Sequence, residues 1–180
     1  MVCAQEAFRQ LDLDGVVLMP LGQPSHRTID GDPGPQERLG LCEAAAEGVE
    51  WLSVSRVEVD RPGPTFTVDT LEQLTAADPA TEYVFVLGAD QALRLDSWRR
   101  PERVLELAQV AIAERAGVSL DAVLEAVGRL GGKERVTTFA MPRVDVSSTE
   151  VRERVAAGEP YRFLVPERVA DRIEREGLYR

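Results

Sequence analysis

Short apolar, often β-branched runs alternate along this chain with segments whose apolar residues recur at helical spacing, and that alternation restricts the fold more than any other feature. Tyr83-Val84-Phe85-Val86-Leu87 is the clearest run. Gly15-Val16-Val17-Leu18-Met19, Trp51-Leu52-Ser53-Val54, Val110-Ala111-Ile112-Ala113 and the stretch from Arg135 to Met141 are the others. Several are apolar without alternation, the mark of a strand covered on both faces. Helical segments fall between them. One holds Ala4, Ala7, Phe8 and Leu11; another starts at Pro35, which suits a first turn, and runs to Ala46. Thr67 is placed to cap a third, with Val68, Leu71 and Leu74 inward. Glu102 to Ala108, Leu120 to Val127, a helix lasting to Ala157, and Pro166 to Glu176 complete the series. Strands alternating with helices predict an α/β fold: a doubly wound, mostly parallel sheet with flanking helices. Ligands of such sheets gather at the carboxyl ends of the strands, so the loops that leave the strands are the ones to read for chemistry.

Bulk properties narrow the function. A chain of 180 residues suits a single domain, 1–180, with a sizeable core. The net charge of −10 argues against nucleic acid and anionic membrane as partners, while a small anion needs only a local positive site. Cys3 and Cys42 lack metal-ligand spacing, and there is no Cys/His cluster. No apolar run reaches membrane length, and the first residues lack the basic start of a signal peptide. A cytoplasmic location is expected.

Four post-strand segments carry polar side chains. Asp145-Val146-Ser147-Ser148-Thr149-Glu150-Val151-Arg152 opens the helix that Gly158 stops. Ser147 with Glu150 three residues later reads as a capping box. Three hydroxyls at a helix N-terminus, where free N–H groups favour an anion, also read as a phosphate site. Arg152 in the first turn fits the second reading, because the helix dipole disfavours a cation there unless an anion joins it. In the long loop of residues 20–35, His26 and Arg27 could hold phosphate or stand in solvent. Gly88 and Asp90 follow a strand; Asp90 could accept ribose hydroxyls or cap the next helix. Trp98 is either a flat platform for a ring or a core residue. Arg115 could neutralise phosphate or pair with a surface carboxylate. No Gly-x-Ser-x-Gly elbow, Walker-type loop or Gly-x-Gly-x-x-Gly after a strand is present.

Taken in order, these segments resemble the bacterial nicotinate-nucleotide adenylyltransferases, nucleotidyltransferases with a Rossmann-like fold. Pro20-Leu21-Gly22-Gln23-Pro24-Ser25-His26-Arg27 is similar to the family's Pro-x-Gly-x-Pro-Pro-His-Lys loop. Arg61-Pro62-Gly63-Pro64-Thr65-Phe66-Thr67-Val68-Asp69-Thr70-Leu71 resembles its Arg-Pro-Gly-Pro-Ser-Tyr-Thr-x-x-Thr-Leu. Leu87-Gly88-Ala89-Asp90, the Trp98-Arg99-Arg100-Pro101 segment and Val146 to Arg152 match its Leu/Ile-Gly-x-Asp, Trp and Ile-Ser-(Ser/Ala)-Thr-x-x-Arg motifs. The resemblance spans the chain.

It implies adenylyl transfer from ATP, with Mg²⁺, to nicotinate mononucleotide, giving nicotinate adenine dinucleotide and pyrophosphate. It also implies roles: Ser147, Ser148, Thr149 and Arg152, with His26 and Arg27, on the ATP phosphates; Gly88 and Asp90 on nucleotide sugar; Trp98 stacked on the nicotinate ring, with Thr67 near its carboxylate; Arg115 toward the substrate phosphates. One departure stands out. The family opens with a strand bearing Gly-Gly-x-Phe-Asp-Pro-x-His-x-Gly-His, whose histidines contact the reacting phosphates, and residues 1–180 contain no such segment. The expectation is therefore a start upstream of Met1, a first strand missing from this chain, no catalytic residue within it, and little or no turnover by the 180 residues alone. A nucleotide-binding remnant without catalysis is the alternative. An adenylyltransferase for phosphopantetheine or nicotinamide mononucleotide is another. Oligomeric state is left open, a homo-oligomer included.

Overall fold

Strands and helices follow one another as the apolar spacing requires in the computed structural model, which describes residues 1–24, 31–115 and 117–180. The first half contains helix α1 (Val2–Gln10), strand β1 (Val16–Leu18), α2 (Pro35–Ala46), β2 (Leu52–Val54), the single turn α3 (Val57–Asp60) and α4 (Thr67–Ala77). Then come β3 (Val84–Gly88), the single turn α5 (Ala89–Ala92), α6 (Pro101–Leu107), β4 (Gln109–Ala113), α7 (Leu120–Gly128), β5 (Val136–Phe139), α8 (Ser148–Ala157) and α9 (Glu167–Glu176). All strand pairs are parallel, in two sheets ordered β1-β2 and β3-β4-β5. No helix among the described residues is long and apolar enough to cross a membrane. The chain divides into two compact units, Met1–Asp14 with Phe66–Arg143 and Gly15–Thr65 with Val144–Arg180.

The first unit is built on β4. Successive side chains of a strand point to opposite faces, so a strand in the middle must satisfy two cores. Val110 and Ile112, both fully buried, join Leu87, Leu95, Leu105, Val123 and Val127 on one face. Ala111 and Ala113 join Ala7 of α1 and Phe139 of β5 on the other. Burying each of the larger side chains contributes about 1.5–3 kcal/mol. The small alanines of the second face let α1 lie close, and its Ala7 is fully buried. Val68 and Leu71 of α4 pack with Val104 of α6 and with Ala108. Thr67 does not cap α4. Phe66 takes the cap position in extended backbone, with no side-chain bond, and Thr67 is the first residue inside the helix.

In the second unit, Val16 to Leu18 pair in register with Leu52 to Val54. Val155 of α8 and Val169 and Ile173 of α9 form one apolar cluster, against which Leu41, Ala44 and Tyr179 pack. α2 meets α9 at Gly40, where an added Cβ would lie 2.2 Å from the Arg172 guanidinium carbon. Arg172 reaches past this gap to Glu37 at 3.2 Å.

Candidate functional site

Parallel register brings the carboxyl ends of three strands to one edge of the first unit. Gly88 of β3 stands beside Ala113 of β4, and Ala113 beside Phe139 of β5. The residues that follow line a cavity of about 250 Å³: Ala89, Glu114, Arg115, Val118, Leu120 and Met141. Asp90 lies in the turn α5, whose cap is Gly88 without a side-chain bond, so Asp90 does not cap this turn. Its carboxylate faces Arg115, Oδ1 to Nη1 at 3.8 Å, with both side chains about half exposed or more. A pair so exposed and so long contributes about 0–1 kcal/mol, which leaves either partner available to a ligand. A Cβ at Gly88 would lie 2.8 Å from Asp90 Oδ1, the tip of a half-exposed side chain that can turn aside.

Trp98 meets its core reading in part. It is half-buried against the β3/β4 core and meets Phe85 edge-on, with centroids 5.9 Å apart, so one side of the indole is anchored. Its neighbours are tied down. Arg99 reaches Asp69 at 3.0 Å and lies 4.7 Å over the Phe66 ring. Arg100, held in left-handed backbone at φ 49°, reaches Asp69 at 3.1 Å and Glu72 at 2.9 Å. Hydrogen bonding from Arg100 holds the Glu72 carboxyl below its ordinary range. These carboxylates belong to α4, so the Trp98 segment is bound to the first turns of the helix that begins at Thr67. Spacing alone pointed to neither Asp69 nor Glu72.

The second unit holds the N-terminus of α8. Ser147 Oγ accepts from the Glu150 N–H at 3.1 Å, as the capping pattern requires. The reciprocal half of the box is replaced: the Glu150 carboxylate accepts from Arg154 at 2.7 Å, one turn on. Ser147, Ser148 and Thr149 are exposed, and Arg152 Nη2 donates to Thr149 Oγ1 at 3.2 Å. Arg152 is the fifth residue of α8, and this bond turns its guanidinium back to the first turn, where the dipole opposes a cation by about 0.3–1 kcal/mol. Asp32 lies within electrostatic reach of it. Burial raises the Asp32 carboxyl, and the Arg38 guanidinium, the Gly34 N–H and Arg152 outweigh that and bring it below its ordinary value. Burial pushes the Tyr179 phenol up, in the field of Arg152, Asp32 and Arg38. No sequence signal marked Asp32 or Arg38. His26 and Arg27 lie outside the described residues. Among the described residues no group of three His, Cys, Asp or Glu side chains could hold a metal ion.

A family model described as cytidylyltransferase-like matches residues 1–154. A probable nicotinate-nucleotide adenylyltransferase of Rubrobacter xylanophilus is 36% identical over 181 residues, covering 100% of this chain and 85% of that relative. Its counterpart from Streptomyces coelicolor is 38% identical over 184 residues, covering 100% of this chain and 93% of its own. Among solved structures, the Plasmodium falciparum nicotinic acid mononucleotide adenylyltransferase complexed with NaAD superposes with a TM-score of 0.75 at 13% identity. That match covers 98% of this chain and 90% of the other, and at so low an identity the likeness is one of fold.

Proposed function

The chain belongs to the nicotinate-nucleotide adenylyltransferase family, within the cytidylyltransferase-like proteins, and on that premise we propose that it transfers the adenylyl group of ATP to nicotinate mononucleotide in NAD biosynthesis. A phosphate oxygen of the mononucleotide attacks the α-phosphorus of ATP. The new P–O bond forms as the α–β bond breaks, and the electron pair leaves with pyrophosphate. The nucleophile is already ionised, so the protein's task is to align two polyanions and offset their repulsion. Mg²⁺ would enter with ATP as part of the substrate and would offset phosphate charge.

In this reading Ser147, Ser148, Thr149 and Arg152 hold the ATP phosphates, and His26 and Arg27 assist from the loop after β1. Gly88 and Asp90 contact nucleotide sugar, and Arg115 leaves Asp90 for the substrate phosphates. Trp98 offers its free face to the nicotinate ring, and Thr67 stands near the ring's carboxylate. The observation that carries the reading is Arg152, a cation kept at the positive end of a capped helix beside three exposed hydroxyls. An incoming phosphate turns that unfavourable placement into charge-assisted bonds.

Binding and turnover are to be measured apart. Calorimetry of this chain with MgATP, nicotinate mononucleotide and the dinucleotide should give binding of each, and chromatography reads whether nicotinate adenine dinucleotide forms from the first two. No binding of any of the three overturns the reading. Binding without product supports a second reading, a nucleotide-binding chain without catalysis. Preference for nicotinamide mononucleotide or phosphopantetheine would reassign the acceptor.

A further inference from the structure

The first turns of α4 hold the chain that follows Trp98 by charged bonds, all of them within the first unit. Asp69 is the third residue of α4, and its two oxygens accept from consecutive arginines: Oδ2 from Arg99 Nη1 at 3.0 Å and Oδ1 from Arg100 Nη2 at 3.1 Å. Glu72, one turn on, takes Arg100 fork to fork, Nη1 to Oε1 at 3.0 Å and Nη2 to Oε2 at 2.9 Å. The Arg99 guanidinium also lies 4.7 Å over the ring of Phe66, the residue before Thr67. A carboxylate in a first turn suits the helix dipole without any partner. Neither the dipole nor stability accounts for the rest, because ion pairs this exposed add little to folding. The backbone of Arg100 points the same way. It sits at φ 49° and ψ 59°, left-handed geometry that a non-glycine residue rarely takes, directly before Pro101, which favours extended chain. Such strain persists only where the surroundings hold it, and it gathers at ligand sites. Here the surroundings are Asp69 and Glu72.

We propose that Asp69 is a positioning residue for the pyridine ring of the mononucleotide: by holding Arg99 and Arg100 it fixes the indole of Trp98 relative to the helix that begins at Thr67. Phe85, edge-on at 5.9 Å, sets the indole from the β3 side, and Asp69 sets it from the α4 side through the backbone that follows it. A stacking platform and a polar contact to a ring substituent act together only at a fixed spacing. Asp69 itself touches no substrate in this scheme. The inference rests on the reading of Trp98 and Thr67 as the ring site.

Asp69→Ala and Asp69→Asn test it. Asparagine keeps the shape but has one acceptor oxygen, so it cannot take both arginines. The readouts are calorimetric titration with nicotinate mononucleotide and, separately, with MgATP, the melting temperature, and the fluorescence anisotropy of Trp98 in a Trp51→Phe background, where it is the one remaining tryptophan. Both variants should bind nicotinate mononucleotide about tenfold or more weakly, the size of loss that misplacing a binding group by an ångström produces. The ligand-free anisotropy should fall as the indole is released, while MgATP affinity and melting temperature stay near the wild-type values. Wild-type affinity for the mononucleotide in either variant overturns the proposal, and so does an unchanged anisotropy. It also falls if both ligands weaken in parallel with melting temperature, the signature of a purely structural residue. Trp98→Met separates the proposal from the reading beneath it. If that variant binds the mononucleotide as the wild type does, or if the wild type does not bind it, the ring site itself is removed. If Trp98→Met binds weakly and the Asp69 variants bind normally, only the positioning role is lost.

Discussion

A side chain at Gly22 has no room. Its Cβ would lie 2.1 Å from the backbone oxygen of Glu58 and 3.0 Å from Thr65 Oγ1. Backbone cannot move aside by changing rotamer, so Gly22→Ala must shift α3 or the strand-exit loop, and with it a carbonyl that Arg38 grips. The expected cost is about 1–3 kcal/mol, seen as a lower urea midpoint. That Gly22 belongs to a loop is evident from its Pro/Gly surroundings; why it must be glycine is not, because the atom that forbids a side chain belongs to Glu58, far along the chain. Arg38 was hidden for the same reason, since backbone carbonyls leave no mark in the residue types that carry them. Ser147 was legible because a cap bonds only three residues ahead. Thr67 shows the limit of that rule: a hydroxyl before an apolar helix suggests a cap, yet the chain turns one residue earlier, at Phe66.

Among the elements, α8 is the one whose stability the proposed chemistry most needs. Its N-terminus is fixed by Ser147, its C-terminus by Gly158 in left-handed backbone at φ 70°, and its inner face by Val151 and Val155 one turn apart. Ser147→Ala should cost about 1 kcal/mol of stability by denaturant titration, the usual loss for an N-cap hydroxyl. It should also weaken MgATP, since the frayed first turn carries Thr149, to which the Arg152 guanidinium is bonded. Elements with a strong period were readable from sequence. The run read as Tyr83 to Leu87 forms β3 at Val84–Gly88, and Pro35 opens α2 as expected. The single turn α3 was missed, because four residues are too few to show a helical period. The doubly wound character followed from order alone, whereas the grouping of strands into β1-β2 and β3-β4-β5 did not, since pairing is decided between residues far apart in sequence.

For the molecule as a whole, pH should bound stability on two sides. Glu6, Glu72 and Asp78 are held below their ordinary range by hydrogen bonds, foremost from Arg9, Arg100 and Thr81. Asp32 joins them because Arg38 and its neighbours overcome the upward push of burial. A depressed carboxyl contributes stability that is complete above its unfolded value, about 4, and lost as pH falls through the folded value. Burial raises Cys3, Cys42, Tyr161 and Tyr179, so their contribution is complete below their unfolded values and lost as pH rises through the folded ones. A plateau between about pH 5 and about pH 8 is expected from urea midpoints. Asp32→Asn should lower the midpoint on that plateau and approach the wild type only as pH falls through the lowered folded value of Asp32, below which both carry a neutral group. A constant gap at every pH would contradict the assignment.

The two faces of β4 carry a last consequence. Ile112 fills space among large neighbours, and Ala111, beside it in sequence, leaves space for α1. Adjacent positions of one strand would therefore drift under opposite rules: change at Ile112 fails by opening a void, and change at Ala111 fails by closing a gap. A profile that scores hydrophobicity alone treats the two as interchangeable, while selection acting on this strand would register volume, with the sign reversed from one residue to the next.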